Sequence, residues 1–95
     1  MAAKIIIDRK VKKGKEVEFF DQLKELRSKV IPSQGYIPDE TLRALCDPHH
    51  YLVFSTWQSV NDWKAWEKNS ERKKIQTKIE KIMMRPPKTE ICVHV

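Results

Sequence analysis

The sequence has little glycine, little cysteine and no long apolar run, and each shortage narrows what it encodes. Two glycines in 95 residues, with 40% hydrophobic and 34% charged residues, describe a soluble globular domain and exclude a disordered chain. The two cysteines, Cys46 and Cys92, form no CxxC pair. His49, His50 and His94 do not stand at zinc-finger distances from them, so no metal site is expected. No stretch approaches the ~20 apolar residues of a membrane span. The opening "MAAKIIIDRK" is too short in apolar residues for a secretory signal, and a cytoplasmic location without membrane association is the expectation. The length allows one domain, residues 1–95, with a small stability margin.

Charge is plentiful, and its sign raises the question of nucleic acid. The formal net charge is +6, concentrated in "RKVKKGK" and "ERKKIQTKIEK". A nucleic-acid module on a small sheet needs aromatic residues on the open face of its central strands to stack bases. "KIIIDRK" offers none, and "YLVFSTW" lacks the glycine-aromatic pattern of such modules. The positive charge reads as a solvated surface, and no nucleic-acid partner is expected.

Periodicity gives the order of elements. "AKIIIDRKV" is β-branched and ends in a turn around Gly14, which makes it a strand. Phe19, Leu23, Leu26 and Val30 recur at helical spacing with Phe20 alongside, so Lys15 to Val30 forms an amphipathic helix that Pro32 stops. "PSQGYIP" is a loop, "DETLRALCDP" a second strand, and Tyr51 to Trp57, "YLVFSTW", a third. Ser59, three residues before Asp62, caps a helix with Val60, Trp63 and Ala65 or Trp66 on its apolar side. Asn69 and Ser70 offer a second cap, and Ile75, Ile79, Ile82 and Met83 continue to Pro86-Pro87. "TEICVHV" closes the chain as a strand with Ile91, Val93 and Val95 on one face and Cys92 and His94 on the other.

The order β-α-β-β-α-β is the ferredoxin-like split βαβ of the α+β class: a four-stranded antiparallel sheet, spatial order 4-1-3-2, with helices on one face. Strands two and four occupy opposite edges, too far apart for a Cys46–Cys92 bridge. Both central strands are apolar on both faces, whereas a sheet with one wet face alternates. A second copy docked sheet to sheet, or a ligand cavity, must cover the other face. A two-fold homodimer is the favoured expectation.

All three tryptophans fall within ten residues. Trp57 ends the third strand on the face of Tyr51, Val53 and Ser55, and Trp63 and Trp66 are neighbours on the next helix. Trp57 and Trp63 read as sheet-helix core. Trp66, beside Asp62 and a charge run, reads as a cavity-rim residue.

The segment "YLVFSTWQSVNDWKAWEKNSERKKI" resembles the strand-to-helix signature of the antibiotic biosynthesis monooxygenase family: a tryptophan at the strand end, a serine cap, an aromatic six residues on and a tryptophan nine residues on. "GYIPDETLRALCDPHHYLVFSTW" resembles the family's paired second and third strands, and the likeness runs from about Ile5 to Val95. It implies a protomer that pairs through its sheet into a dimeric α/β barrel, with a cavity between sheet and helices. It also implies a monooxygenase that needs no cofactor, because an electron-rich phenol or quinol anion passes an electron to oxygen itself. Such a site needs an apolar pocket, a base and polar contacts. Trp66 and Asp62 are the catalytic candidates, and Tyr36, Arg43 and Trp57, with one of the histidines, are candidates for holding a small aromatic ligand.

Two positions depart from the family. In its haem-degrading branch a haem-ligating histidine follows the tryptophan by ten residues and an asparagine stands near the end of the first strand; here those positions are Gln76 and Asp8. Without an imidazole at 76 the haem reading loses its iron ligand. In the quinone-forming branch an amide one turn before the tryptophan holds the substrate, and here it is Asp62. Its carboxylate either acts as a base, if desolvation raises its pKa, or only completes the capping box with Ser59. Tyr36 either overhangs the cavity or anchors its loop. The alternative to an enzyme is a barrel that binds a small molecule, or serves as a scaffold, without turnover.

Overall fold

The computed structural model describes residues 2–95. The chain runs β1 (Ala3–Lys10), α1 (Glu16–Val30), β2 (Tyr36–Ile37), β3 (Thr41–Arg43), β4 (His50–Trp57), α2 (Val60–Glu67), α3 (Ser70–Glu80) and β5 (Lys88–Val93). All strand pairs are antiparallel, with β1 and β4 central, β5 beyond β1, and β2 and β3 together beyond β4. This is the expected ferredoxin-like order, with helices packed on one face.

In place of one strand over 39–48 there are two short ones: β2 lies within the segment expected as a loop, and of the expected strand only Thr41–Arg43 pairs. Residues 38–40 face only 54 and 55 of β4, because the register moves from Ile37↔Thr56 to Thr41↔Val53. That is one extra residue, a bulge. Pro38 has no N–H to give a ladder, and Glu40 returns to the sheet by accepting from Phe54 N–H at 2.9 Å. Pairing ends at Arg43, and Leu45 is fully exposed. The last strand stops at Val93, earlier than expected, and Val95 lies outside it.

The helix boundaries follow from their caps. Ser59 Oγ accepts from Asp62 N–H at 3.1 Å to start α2. Asn69 Oδ1 accepts from the N–H groups of Glu71 at 2.8 Å and Arg72 at 3.3 Å, so α3 begins afresh after a break at Lys68. Each such cap is worth about 1 kcal/mol. Gly35, with φ +80°, holds a left-handed conformation, and a Cβ there would overlap the Asp62 carboxylate. Only glycine meets both conditions.

The helix-side core has two adjoining halves. Val11, Phe19, Leu23, Tyr51, Ile75, Ile79, Ile82 and Met83 form an aliphatic-rich one. Ala3, Ile5, Ile7, Val30, Trp57, Trp63 and Trp66 form an aromatic-rich one. β1 alternates Ala3, Ile5, Ile7 and Arg9 inward. The opposite face carries Ile6, Leu52 and Phe54 on the central strands, with Leu42 paired to Leu52 and Ile37 to Thr56 at the edge. Nothing from within the described residues covers it. Asp8 lies there too, accepting from His50 Nε2 at 2.9 Å and Arg85 Nη2 at 2.6 Å. Burial works against its charge, but those two donors hold its carboxyl below the usual range.

Ile91 and Val93 face the helix side, paired across from Ile5 and Ala3, yet stay about half exposed because the helices do not extend over β5. Both cysteines are free. Among the described residues no helix is long and apolar enough to cross a membrane, and no three metal-ligating side chains cluster.

Candidate functional site

The aromatic half of the core lines a partly open chamber of about 50 Å³, room for a few water molecules. Trp57 and Ile7 form its sheet floor, α1 supplies Leu26 and Val30, and α2 supplies Trp63 and Trp66. The rings brace one another. Trp57 meets Trp63 edge-on at 5.9 Å between centroids, and Tyr36 leans on Trp57 at 5.3 Å. Trp57 Nε1 donates to Ser55 Oγ at 3.1 Å, whereas the buried Trp63 N–H has no partner. An unpaired buried donor is costly, and this one belongs to a residue that lines the chamber.

The expected site residues are thus partly gathered. Trp66, Trp57 and Tyr36 line the chamber together. Burial pushes the Tyr36 phenol up, aided by Asp39 and opposed by Arg27, so it stays neutral across the physiological range. Asp62 is placed elsewhere: its carboxylate rests against Gly35 and lines a shallow outer depression with Ser33, Gln34 and Asn69. Trp66 borders both spaces and stands between them. Arg43 lines an open groove on the other side, between α1 and β3. The histidines lie outside the chamber: His49 pairs with Glu16 at 2.5 Å and His50 with Asp8.

Three charged groups at the chamber escaped sequence reasoning. Asp39, in the bulge, accepts from Thr56 Oγ1 at 2.8 Å and pairs with Lys4 Nζ at 3.1 Å. Desolvation opposes its charge, but these bonds keep its carboxyl below the ordinary range. Arg72 lies over the Trp63 ring at 5.3 Å, a cation-π contact; burial lowers its pKa, with Glu67 and Glu80 opposing. Arg27 closes the α1 side by donating to Thr41 Oγ1 at 2.8 Å. The only local signal was Asn69, whose capping of α3 fixes where Arg72 projects.

Behind Arg72 lies Arg9, 1% exposed. Its Nη2 donates to Gln76 Oε1 at 2.9 Å, while Nε and Nη1 have no partner. Burial, with the nearby Arg72 charge adding and Glu80 opposing, pushes its pKa down to about 10. Gln76 is therefore engaged in holding a buried cation.

The sequence matches the family described as antibiotic biosynthesis monooxygenase over residues 3–78. It is 26% identical over 68 residues to the "42.8 kDa protein in whiE locus" of Streptomyces coelicolor, a match covering 72% of this chain and only 17% of that protein. A conserved protein from Methanosarcina mazei superposes with TM-score 0.90 at 17% identity, over 97% of this chain and 91% of that one. A variant of SnoaB, a cofactor-independent oxygenase from Streptomyces nogalater, superposes with TM-score 0.88 at 11% identity, over 98% and 92%. At such identities the superpositions show the fold.

Proposed function

Because the chain belongs to the antibiotic biosynthesis monooxygenase family, we propose that it is a cofactor-independent monooxygenase whose substrate, a small phenol or quinol, reacts in the tryptophan-lined chamber. The observation that carries this reading is a mostly apolar, partly open space in which Arg72 lies against the aromatic walls, and which must widen from about 50 Å³ to admit a ring. A guanidinium beside the bound ring favours a phenolate over the phenol. The phenolate supplies the electrons. One oxygen atom of O2 replaces the hydrogen on a ring carbon, giving a quinone, and the other leaves as water, so the substrate is the only reductant.

Trp57 and Trp66 hold the ring by stacking, and Tyr36 with the free Trp63 N–H offers hydrogen bonds to its oxygen. Asp39, held by Lys4 and Thr56, is a poor base. Asp62 can take the proton only past the Trp66 ring. Asp62→Asn decides between the routes: lost turnover assigns the proton to Asp62, and unchanged turnover assigns its release to the Arg72-stabilised phenolate. Turnover under ¹⁸O2 is the test of the reaction, with one labelled atom expected in the product and one in water. Label from solvent water in the product would refute direct oxygenation.

The uncovered sheet face supports a homodimer, since Ile6, Leu52 and Phe54 form an apolar strip that monomers rarely leave bare. Phe54→Asp is expected to yield monomers by sedimentation, and a wild-type monomer at micromolar concentration would refute the assembly. One observation favours a second reading, a barrel that holds its ligand without turnover. Among the described residues, the one carboxylate lining the chamber, Asp39, is already paired.

A further inference from the structure

The chamber has an outer neighbour. Between α1 and the edge strand β3 lies an open groove of about 480 Å³, and the two spaces share Leu23, Arg27 and Thr41. Their common wall is therefore the Arg27–Thr41 hydrogen bond. The groove combines three features that no single role in folding explains. Lys24, Arg27 and Arg43 line it, no carboxylate does, and none of the three forms an ion pair among the described residues. Phe20, about half exposed on a helix whose other apolar residues are mostly buried, meets Tyr51 edge-on at 5.6 Å. Tyr51, 2% exposed, has a hydroxyl with no hydrogen-bond partner.

Three unpaired cations around an aromatic pair are complementary to one ligand chemistry: a flat ring bearing a carboxylate. The guanidinium forks donate to the carboxylate, and the ring lies against Phe20. We propose that this groove is an entry subsite for aromatic carboxylates, so that the molecule delivered to the chamber is an acid as well as a phenol. The subsite rests on the chamber reading for its role in catalysis, but its binding stands alone. A carboxylate seated there competes with Thr41 for Arg27, and in doing so releases the hydrogen bond that separates groove from chamber. Arg27 is then both recognition group and latch.

The test uses the full chain and two probes with the same ring, 2-naphthoate and 2-naphthol, the second neutral at pH 7. Backbone amide shifts in heteronuclear NMR are followed to saturation. The expected result is that naphthoate moves the amides of Phe20 to Arg27 and Thr41 to Arg43, and binds about tenfold more tightly than naphthol. Lys24→Gln and Arg43→Gln, both at exposed positions, should each weaken naphthoate roughly threefold to tenfold and leave naphthol unchanged. Equal affinity for the two probes, unchanged affinity in both variants, or shifts confined to other surfaces would each overturn the subsite. Naphthoate preference in a protein that consumes no oxygen with any phenol would refute the oxygenase and keep the subsite. Oxygen uptake with neutral phenols and no naphthoate preference would do the reverse.

Discussion

The two halves of the helix-side core share the sheet and α1, but α3 completes one and α2 the other, and one is filled while the other holds a space. Where Phe19, Ile75, Ile79, Ile82 and Met83 meet, branched and flexible side chains settle into one another, as close packing requires. Where Trp57, Trp63 and Trp66 meet, rigid bicyclic rings, Trp57 edge-on to Trp63, line a gap that they do not fill. The chamber thus arises where α2 brings two tryptophans onto the sheet end held by a third. The aliphatic half provides the stability that lets the aromatic half stay incompletely packed.

Truncating the filled half should separate these roles most sharply. Ile79→Ala, at a fully buried position, is expected to cost about 3 kcal/mol in urea unfolding, with ligand affinity at the chamber unchanged once the protein is folded. A matching loss of affinity would show that the halves are not independent. The next largest effect concerns Arg9, an underpaired cation paired in register with Tyr51 at the aliphatic half's edge. Arg9→Met combined with Gln76→Leu should raise stability by about 1–2 kcal/mol, since an apolar pair replaces a desolvated charge. A loss would mean that the guanidinium has partners not visible in its contacts.

In the aromatic half, Trp66→Phe is expected to cost only about 1 kcal/mol of stability while abolishing turnover; a loss as large as that of Ile79→Ala would make Trp66 an ordinary core residue.

The smallest effect is electrostatic. Asp39 has its folded pKa below the unfolded value despite desolvation, through Thr56 and Lys4. Its contribution is therefore complete above the unfolded carboxylate range, near pH 4 to 5, and is lost as pH falls through the folded pKa. Asp39→Asn should lower stability at pH 7 by less than about 1 kcal/mol and flatten the acid limb of the stability profile. An unchanged limb would show that the Lys4 and Thr56 contacts do not persist in solution.

Much of this was legible in the residue pattern, because the signals were local. The run Ile5-Ile6-Ile7 and the segment from Tyr51 to Trp57 announce central strands, and Ser59 and Asn69 announce two helix starts at the positions where they occur. β2 was missed inside the expected loop, and the following strand was expected to run too far, because pairing of both short segments depends on their register against β4, which composition does not encode. The tryptophans pointed to the chamber, but its charged members did not. Arg27, Asp39 and Arg72 come from three separate segments and meet only through long-range packing. Arg9 had a signal that the strand reading left unused: it continues the inward alternation of Ala3, Ile5 and Ile7, which places a cation in the core.

On the proposed reading, the tryptophan-lined chamber is where oxygen meets an electron-rich ring. Oxygen consumption by purified, metal-free protein, measured with a panel of hydroquinones and polycyclic phenols against each compound's own autoxidation, tests it most directly. Protein-dependent uptake with at least one member of the panel, and none in folded Trp66→Phe, is the expected result. Uptake that persists undiminished in that variant would contradict it.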